Sequence, residues 1–376
     1  MPTRTHERHI VVTGSKGFIG RNLLLGLAER GHRDIRTFDR SDKPTLLSEL
    51  LQWADVVVHL AGVNRPQSDE AFTTDNVDLT RRIVEGLGKR DRSPHVIYTS
   101  SIQALRSTAY GLSKQEAEKA LMRLHEETGA AISIFRLPNI FGKWSRPHYN
   151  SVVATFCRAA ALGQPMPIDE PTAPLDLVYI DDLVQTLCET VEATPVGIDW
   201  PAVSPVYSSS VGEVAAIISG FASGRIESCV DRVGQGLPRA LYATYLTHLA
   251  PDQFSYRLDD HKDARGTFVE VIKTPDCGQV SFFSSAPGVI RGRHYHHTKS
   301  EKFVVVHGNA LFRFRSLQDG NYFECSASAA APRVVQTIPG WSHEIVNSGD
   351  DDLVVLVWAN EVFDEQQPDT YRSEIG

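Results

Sequence analysis

Cysteine is scarce in this chain and never paired. Its five cysteines, Cys157, Cys188, Cys229, Cys277 and Cys325, are scattered and form no Cys-x-x-Cys, which argues against a disulfide framework and an all-cysteine zinc site. No apolar run is long enough to span a bilayer, and the polar start Met1-Pro2-Thr3-Arg4-Thr5-His6-Glu7-Arg8 has no signal-peptide pattern. A cytoplasmic location and no membrane partner are therefore expected. Positive charge is not in excess either: 38 Lys and Arg against 46 Asp and Glu give a net charge of −8. That argues against a nucleic-acid partner, whose usual mark is a basic patch or stripe, and any phosphate on a ligand must be met by local groups. Internal repeats are lacking, and the small-residue run Ser326 to Ala331 is expected to be a loop.

What is present changes character near residue 250. Residues 9 to about 190 alternate apolar strands with helical stretches, the pattern of an α/β doubly wound sheet of Rossmann type. Asp55-Val56-Val57-Val58-His59-Leu60-Ala61-Gly62, His95 to Ser101 and Ala131 to Leu137 read as buried strands, and Ser204 to Tyr245 as mixed and partly helical. From about Phe254 the chain turns to short strands, Gly266 to Ile272, Phe303 to Val306, Ala310 to Phe314 and Leu353 to Trp358, which predict an all-β sandwich or jelly-roll barrel. The expected domains are residues 1–250 and 251–376.

The first domain is organised around Ile10-Val11-Val12-Thr13-Gly14-Ser15-Lys16-Gly17-Phe18-Ile19-Gly20. A β-branched run stops at a glycine and an amphipathic helix follows at once. The spacing Gly14-x-x-Gly17-x-x-Gly20 lets a tight turn close, a pyrophosphate approach the backbone and the helix pack on the sheet. The helix N-terminus then faces the phosphates. Asp39 falls 19 residues after Gly20, where a ribose-binding acid is expected. Tyr110 and Lys114, four apart in a helical stretch, share one face. A free phenol has a pKa of about 10, and an ammonium beside it favours the phenolate. Ser101 ends the preceding strand and could hydrogen-bond the same substrate oxygen.

Together with His59-Leu60-Ala61-Gly62, Arg136-Leu137-Pro138-Asn139-Ile140-Phe141-Gly142 and Leu177-Val178-Tyr179-Ile180-Asp181-Asp182, these motifs resemble the extended short-chain dehydrogenase/reductase family over residues 9 to 245. The resemblance implies a nicotinamide cofactor held by Gly14, Lys16, Gly17, Phe18, Ile19, Asp39, Arg40, Leu60, Ala61, Gly62 and Lys114. It implies Tyr110 as acid/base, Lys114 on the nicotinamide ribose, Ser101 on the substrate, and a nucleotide sugar near Asn76, Asn139 and Arg136. Only eight residues separate Ser101 from Tyr110, fewer than extended members carry, so a loop over the sugar is shortened. Asp39 favours the free ribose hydroxyl of NAD and Arg40 the 2′-phosphate of NADP; the reading leans to NADP.

In the second domain His294 and His296 point the same way along a strand, and Glu301 and His343 can return from others. Imidazoles with one carboxylate suit zinc, or iron, manganese or nickel at a site with open positions. Gly288-x5-His294-x-His296-x4-Glu301-x6-Gly308 and Gly340-x2-His343-x3-Asn347 resemble the two cupin motifs. Asp263-Ala264-Arg265-Gly266-Thr267-Phe268-Val269-Glu270 and Arg291-Gly292-Arg293-His294-Tyr295 look like the metal-free sugar-nucleotide 3,5-epimerases. There the histidine of the second stretch is the base, so His294 has two claims on it, ligand and base; His296 and Glu301 tip the reading toward ligand.

Both halves in this order, with Tyr149 to Cys157 and the terminal Gln367-Pro368-Asp369-Thr370-Tyr371, are similar to the bifunctional capsular polysaccharide enzymes of the UDP-N-acetyl-L-fucosamine pathway. That resemblance implies C3 epimerisation of a UDP-4-keto-6-deoxy-N-acetylhexosamine, then reduction at C4 to UDP-2-acetamido-2,6-dideoxy-L-talose. A UDP-sugar is the expected partner, and a homodimer or higher homo-oligomer the expected assembly. The alternative is a single-activity reductase whose cupin is a non-catalytic, metal-braced dimerisation module.

Overall fold

Runs of β-branched residues that are buried on both faces build the first sheet. The computed structural model describes residues 8–63, 76–90, 94–254, 258–296, 299–317, 320–338, 340–366 and 368–375. Gln367 of the terminal motif lies outside the described residues. The chain divides into two compact units, one reaching to Ile218 and taking back Ala240–Leu249, the other holding Ser219–Arg239 and the residues from Ala250 on. Among the described residues no helix is long and apolar enough to cross a membrane.

The strands of the first unit are β1 (Ile10–Thr13), β2 (Ile35–Phe38), β3 (Val56–His59), β4 (His95–Ser101), β5 (Ile132–Leu137), β6 (Asn139–Phe141), β7 (Pro174–Tyr179), β8 (Ile198–Asp199) and β9 (Tyr207–Ser210). Six of them form a parallel sheet in the order β2-β1-β3-β4-β5-β8, and β6-β7-β9 form a small second sheet. Its helices include α1 (Phe18–Glu29), α2 (Pro44–Trp53), α3 (Asp78–Leu87), α4 (Ala109–Thr128), α5 (Val152–Ala161) and α6 (Ile180–Glu192). Val11, Val57, Val96, Tyr98, Ile132 and Ile134 of the sheet pack in one buried cluster with Leu50 and Leu51 of α2, Ile83 and Leu87 of α3, and Leu121 and Leu124 of α4.

Strand order decides where a ligand can sit. From β1 the chain passes to β2 on one side and then to β3 on the other. The reversal opens a crevice at the carboxyl ends of β1 and β3. Gly14 leaves β1 there with φ +73°, and a Cβ on it would lie 2.8 Å from the Ala61 backbone just past β3. A Cβ on Gly20 would meet the Gly14 carbonyl at 2.4 Å. The turn can therefore be closed only by residues without side chains at those two positions.

α4 has its own start and stop. The Thr108 hydroxyl accepts from the Gly111 N–H at 3.1 Å, and Gly129 ends the helix in the left-handed region at φ 71°. Its buried stripe runs Lys114, Ala117, Glu118, Leu121, Leu124, the spacing of a core-facing helix with two charged residues inside it.

The second unit is antiparallel: β10 (Asp260–Asp263), β11 (Gly266–Thr274), β12 (Gly278–Ser285), β13 (Ile290–Tyr295), β14 (Glu301–His307), β15 (Asn309–Ser316), β16 (Tyr322–Ser328), β17 (Val334–Gln336), β18 (Trp341–Asn347), β19 (Leu353–Ala359) and β20 (Tyr371–Arg372). They form two sheets, β10-β11-β12-β19-β14-β17 and β16-β15-β18-β13-β20. β12 and β15 alternate buried and half-buried residues, and Phe283, Phe303, Phe312, Phe314, Ile345, Val355 and Val357 fill the core. This is the cupin-like sandwich expected from the strand spacing. Ser326 to Ala331 is not all loop, however. β16 continues through Ser328 because it pairs with β15, and Ala327, opposite Ala310, is buried. Tertiary pairing overrides the composition of that run.

Candidate active site

The first site forms where the β1/β3 crevice meets α4. Ser101 shares a hydrogen bond with the Tyr110 phenol. The Lys114 ammonium donates to the Thr99 carbonyl at 3.0 Å, lies 4.9 Å from the Tyr98 ring centroid and 6.0 Å from that of Tyr110. A Cβ on Gly62 would be 3.2 Å from Lys114 Nζ and 3.2 Å from Asn76 Oδ1, so Leu60-Ala61-Gly62, Asn76 and Lys114 converge. Asn76 is held on both sides: its amide donates to the Val63 carbonyl at 3.0 Å and to Ser113 Oγ at 3.2 Å, and its Oδ1 accepts from Val63 N–H at 2.7 Å.

Burial pushes the Tyr110 phenol up, and the Ser101 hydrogen bond offsets this only in part. The Lys114 ammonium is aimed at the Thr99 carbonyl. Burial lowers Lys114 to about 8, against an upward pull from Glu118.

The glycine turn is tied to the end of β2. The Ser15 hydroxyl donates to Asp39 Oδ2 at 2.5 Å, and Lys16 N–H to Asp39 Oδ1 at 3.2 Å. Lys16 Nζ donates to the Ser41 hydroxyl at 3.1 Å, and Arg40 is exposed beside them in the chain. α1, with Phe18 and Ile19 in its first turn, begins after Gly17 with no side-chain cap and no acid in that turn. Its first N–H groups are available to a phosphate.

A buried chain of hydrogen bonds that the sequence analysis did not single out runs beneath this turn. The Thr80 hydroxyl donates to the Asn76 carbonyl at 2.8 Å, so toward His59 Nε2, 2.9 Å away, it can only accept. The imidazole therefore carries its proton on Nε2, and Nδ1 accepts from the Thr13 hydroxyl at 2.8 Å. Thr13 in turn accepts from Ala61 N–H at 3.3 Å. Burial, helped by the Lys114 charge, holds His59 at about 3. The detectable signal was a histidine ending an otherwise apolar strand.

Arg136, expected near the sugar, is held by a buried acid. Its guanidinium grips the buried Glu118 carboxylate through Nε at 3.0 Å and Nη2 at 2.7 Å, and stacks 4.5 Å from the Trp200 ring centroid. Ser100 donates to the same carboxylate at 2.5 Å. The fork braces β5 against α4, since a buried carboxylate needs these partners. Asn139 is exposed, with its amide 3.4 Å from the Asp176 carbonyl. An open cleft of about 490 Å³ between α1 and α6, lined by Asn22, Arg30, Lys143, Asp181 and Cys188 among others, contains none of the candidate residues.

In the second unit His294, His296, Glu301 and His343 do come together, with one ligand atom from each lying within 4.8 Å of the others. β13 and β18 pair so that His294 faces His343. The register shifts between Gly292 and His294, with Arg293 at φ 61°. Such a bulge re-aims the side chains that follow it. His296 Nε2 is 3.3 Å and His343 Nε2 3.5 Å from Glu301 Oε2. Burial works to raise Glu301, but His296, His343 and Lys299 together hold it well below the usual carboxylate range. Burial and His343 lower His294 to about 4.

The donors fit a divalent cation. His296 Nδ1 lies 2.5 Å from the Asp369 carbonyl, which only accepts, so Nδ1 bears the proton. In the neutral ring Nε2 then turns a lone pair toward the Glu301 carboxylate, and a cation between them resolves the conflict. Among the described residues, the ring nitrogens of His343, a residue 2% exposed, have no hydrogen-bond partner beyond the 3.5 Å approach of Nε2 to Glu301. Such buried orphans are rare unless something else binds them. Three imidazoles and a carboxylate suit zinc, and iron, manganese or nickel as well.

Residues 10–198 match the NAD dependent epimerase/dehydratase family, and residues 261–371 match the polysaccharide biosynthesis C-terminal domain. The fold and this match define the class: the chain belongs to the NAD dependent epimerase/dehydratase family. It is similar over nearly its whole length to known proteins. The UDP-2-acetamido-2,6-beta-L-arabino-hexul-4-ose reductase of Pseudomonas aeruginosa is 47% identical over 367 residues, 98% of this chain and 99% of the relative. The crystal structure of the capsular polysaccharide assembling protein CapF from Staphylococcus aureus is 40% identical with a TM-score of 0.89, covering 97% of this chain and 100% of that one. The UDP-glucuronic acid 4-epimerase of Bacillus cereus, in complex with NAD, shares the fold at 18% identity and a TM-score of 0.54, over 64% of this chain and 98% of that one.

The buried histidines set the acid limit of stability. His59 at about 3 and His95 at about 4 stay neutral in the fold, while the unfolded chain titrates them near 6.5. Their contribution is complete above pH 6.5 and is lost as pH falls, because the unfolded state then binds protons that the native state refuses. The slope is about 1.4 kcal/mol per pH unit for each histidine. Urea unfolding at pH 7 and pH 5 should show this loss, and His59→Gln should make it shallower; an unchanged slope in that variant would show that His59 titrates normally in the fold.

Proposed function

We propose that this protein epimerises C3 of a UDP-4-keto-6-deoxy-N-acetylhexosamine in its second unit and then reduces the C4 ketone in its first, giving UDP-2-acetamido-2,6-dideoxy-L-talose. The observation that carries the reductive half is the half-buried Tyr110 phenol, hydrogen-bonded to Ser101 beside Lys114 at the β1/β3 crevice. A nicotinamide cofactor, when bound, supplies the hydride. Gly14, Gly17 and the uncapped start of α1 hold its pyrophosphate, and Leu60, Ala61 and Gly62 line its path toward Lys114. Ser101 orients the C4 oxygen, and Tyr110 gives that oxygen its proton as the carbon is reduced. The Lys114 charge favours proton loss from the phenol at that moment. Asp39 already bonds Ser15 and Lys16, while Lys16 and Arg40 supply positive charge, which supports NADPH over NADH.

The epimerising half rests on the four-residue cluster. A C3 proton is removable only while C4 is a carbonyl, because the enolate needs that oxygen to carry charge, so epimerisation precedes reduction. His294, His296, Glu301 and His343 are assigned as ligands of a divalent ion, zinc being favoured. The ion, when bound, supplies positive charge beside the oxygen that becomes negative on enolisation. The name of the Pseudomonas relative, a reductase of an L-arabino 4-ketose, agrees with this order.

The test is incubation of the 4-keto sugar nucleotide in deuterated water, with and without NADPH, followed by NMR. Deuterium should enter C3 without NADPH, and the alcohol should form only with it. Tyr110→Phe should lower NADPH oxidation by about 10² to 10⁴, the usual worth of a general acid, while C3 exchange continues. His296→Ala and Glu301→Ala should lose zinc and exchange together. Reduction without any C3 exchange in the wild type would make the second unit a non-catalytic module, and near-normal NADPH use in Tyr110→Phe would remove that residue from the chemistry.

Cofactor choice has its own check. Arg40→Ala should weaken NADPH far more than NADH in a fluorescence titration. Equal losses for the two cofactors would mean that Arg40 does not select.

A further inference from the structure

The terminal stretch Pro368-Asp369-Thr370-Tyr371 has no part in either reaction above, yet it is stitched to the strands that carry the candidate ligands. β20 pairs antiparallel with β13, placing Tyr371 opposite Tyr295 and Arg372 opposite His294. Ser373 N–H donates to the Arg293 carbonyl at 2.9 Å, the Ser342 hydroxyl to the Ser373 carbonyl at 3.1 Å, and Arg315 Nε to the Ile375 carbonyl at 2.5 Å. β13, β18 and β15 are thereby all tied to the last residues of the chain.

Two bonds of Asp369 lead to the cluster. Its backbone carbonyl accepts from His296 Nδ1 at 2.5 Å, which keeps the proton off Nε2 and turns that nitrogen toward Glu301. Its carboxylate accepts from the Lys299 backbone N–H at 2.7 Å. Lys299 lies two residues before Glu301, and its ammonium is 3.5 Å from Glu301 Oε1. One residue therefore holds the ring of one candidate ligand and the backbone beside another.

We propose that Asp369 is a positioning residue for the ion, its carboxylate anchoring the strap so that its carbonyl can fix His296 in the binding tautomer. This rests on the assignment of His294, His296, Glu301 and His343 as ligands. Partners of this outer kind orient metal-binding imidazoles, and their loss weakens affinity about 10- to 100-fold.

Zinc alone, titrated into metal-free full-length protein against a chromogenic chelator, tests it. Asp369→Ala removes the anchor and should weaken zinc about tenfold or more, whereas Asp369→Asn keeps an acceptor for Lys299 N–H and should stay near the wild type. Thermal melting separates positioning from bracing: the zinc-loaded midpoint of Asp369→Ala should drop while the metal-free midpoint holds. Equal drops in both forms, or unchanged affinity in Asp369→Ala, would overturn the proposal. A wild-type protein that takes up no zinc would instead end the ligand assignment on which it stands.

Discussion

A polar group taken out of water has to be met by a partner, and that constraint shapes both candidate sites. At the first site Glu118 is closed by Ser100 and Arg136, Lys114 by the Thr99 carbonyl, and His59 by Thr13 and Thr80. At the second site the constraint is left open among the described residues: His343 Nδ1 is buried without a hydrogen-bond partner, and His296 turns a lone pair toward a carboxylate. In the proposed function the first arrangement seats a small molecule, and the second offers donors to a cation.

The two folds answer the constraint by different geometry. A parallel sheet buried on both faces offers an opening where its strand order reverses, and the backbone itself forms the floor of that opening. Gly14 against Ala61 is the narrowest approach, and the His59 chain fixes the same Ala61 from below through Thr13. An antiparallel sandwich offers side chains that alternate in and out, so ligands can be drawn from β13, β14 and β18 onto one interior. The shift at Arg293 and the strap at Asp369 adjust that regular pattern to the needs of four particular atoms.

In the proposed function, the pairing of these units in one chain follows the chemistry of a ketone. Carbon acidity beside a carbonyl is lost once the carbonyl is reduced, so a protein that acts at both carbons must do so in a fixed order. The raised Tyr110 phenol matches the later step, since a proton donor is needed when the oxygen becomes an alkoxide. The cluster around Glu301 matches the earlier one, where negative charge accumulates on oxygen without any change of oxidation state.

Much of this was legible in the residues. The glycine spacing, the Tyr110 and Lys114 pair and the His294-x-His296-x4-Glu301 pattern are local, because a turn, a helix face and a strand face are each set within about ten residues. The α/β then all-β order was legible for the same reason. What only the tertiary structure decided depends on groups brought together from afar. It paired Arg136 with Glu118, kept β16 extended through Ser328, and joined Asp369 to His296. Burial and hydrogen-bond direction are properties of the packed whole. A sequence names the donors and acceptors, and folding settles which of them face each other without water between.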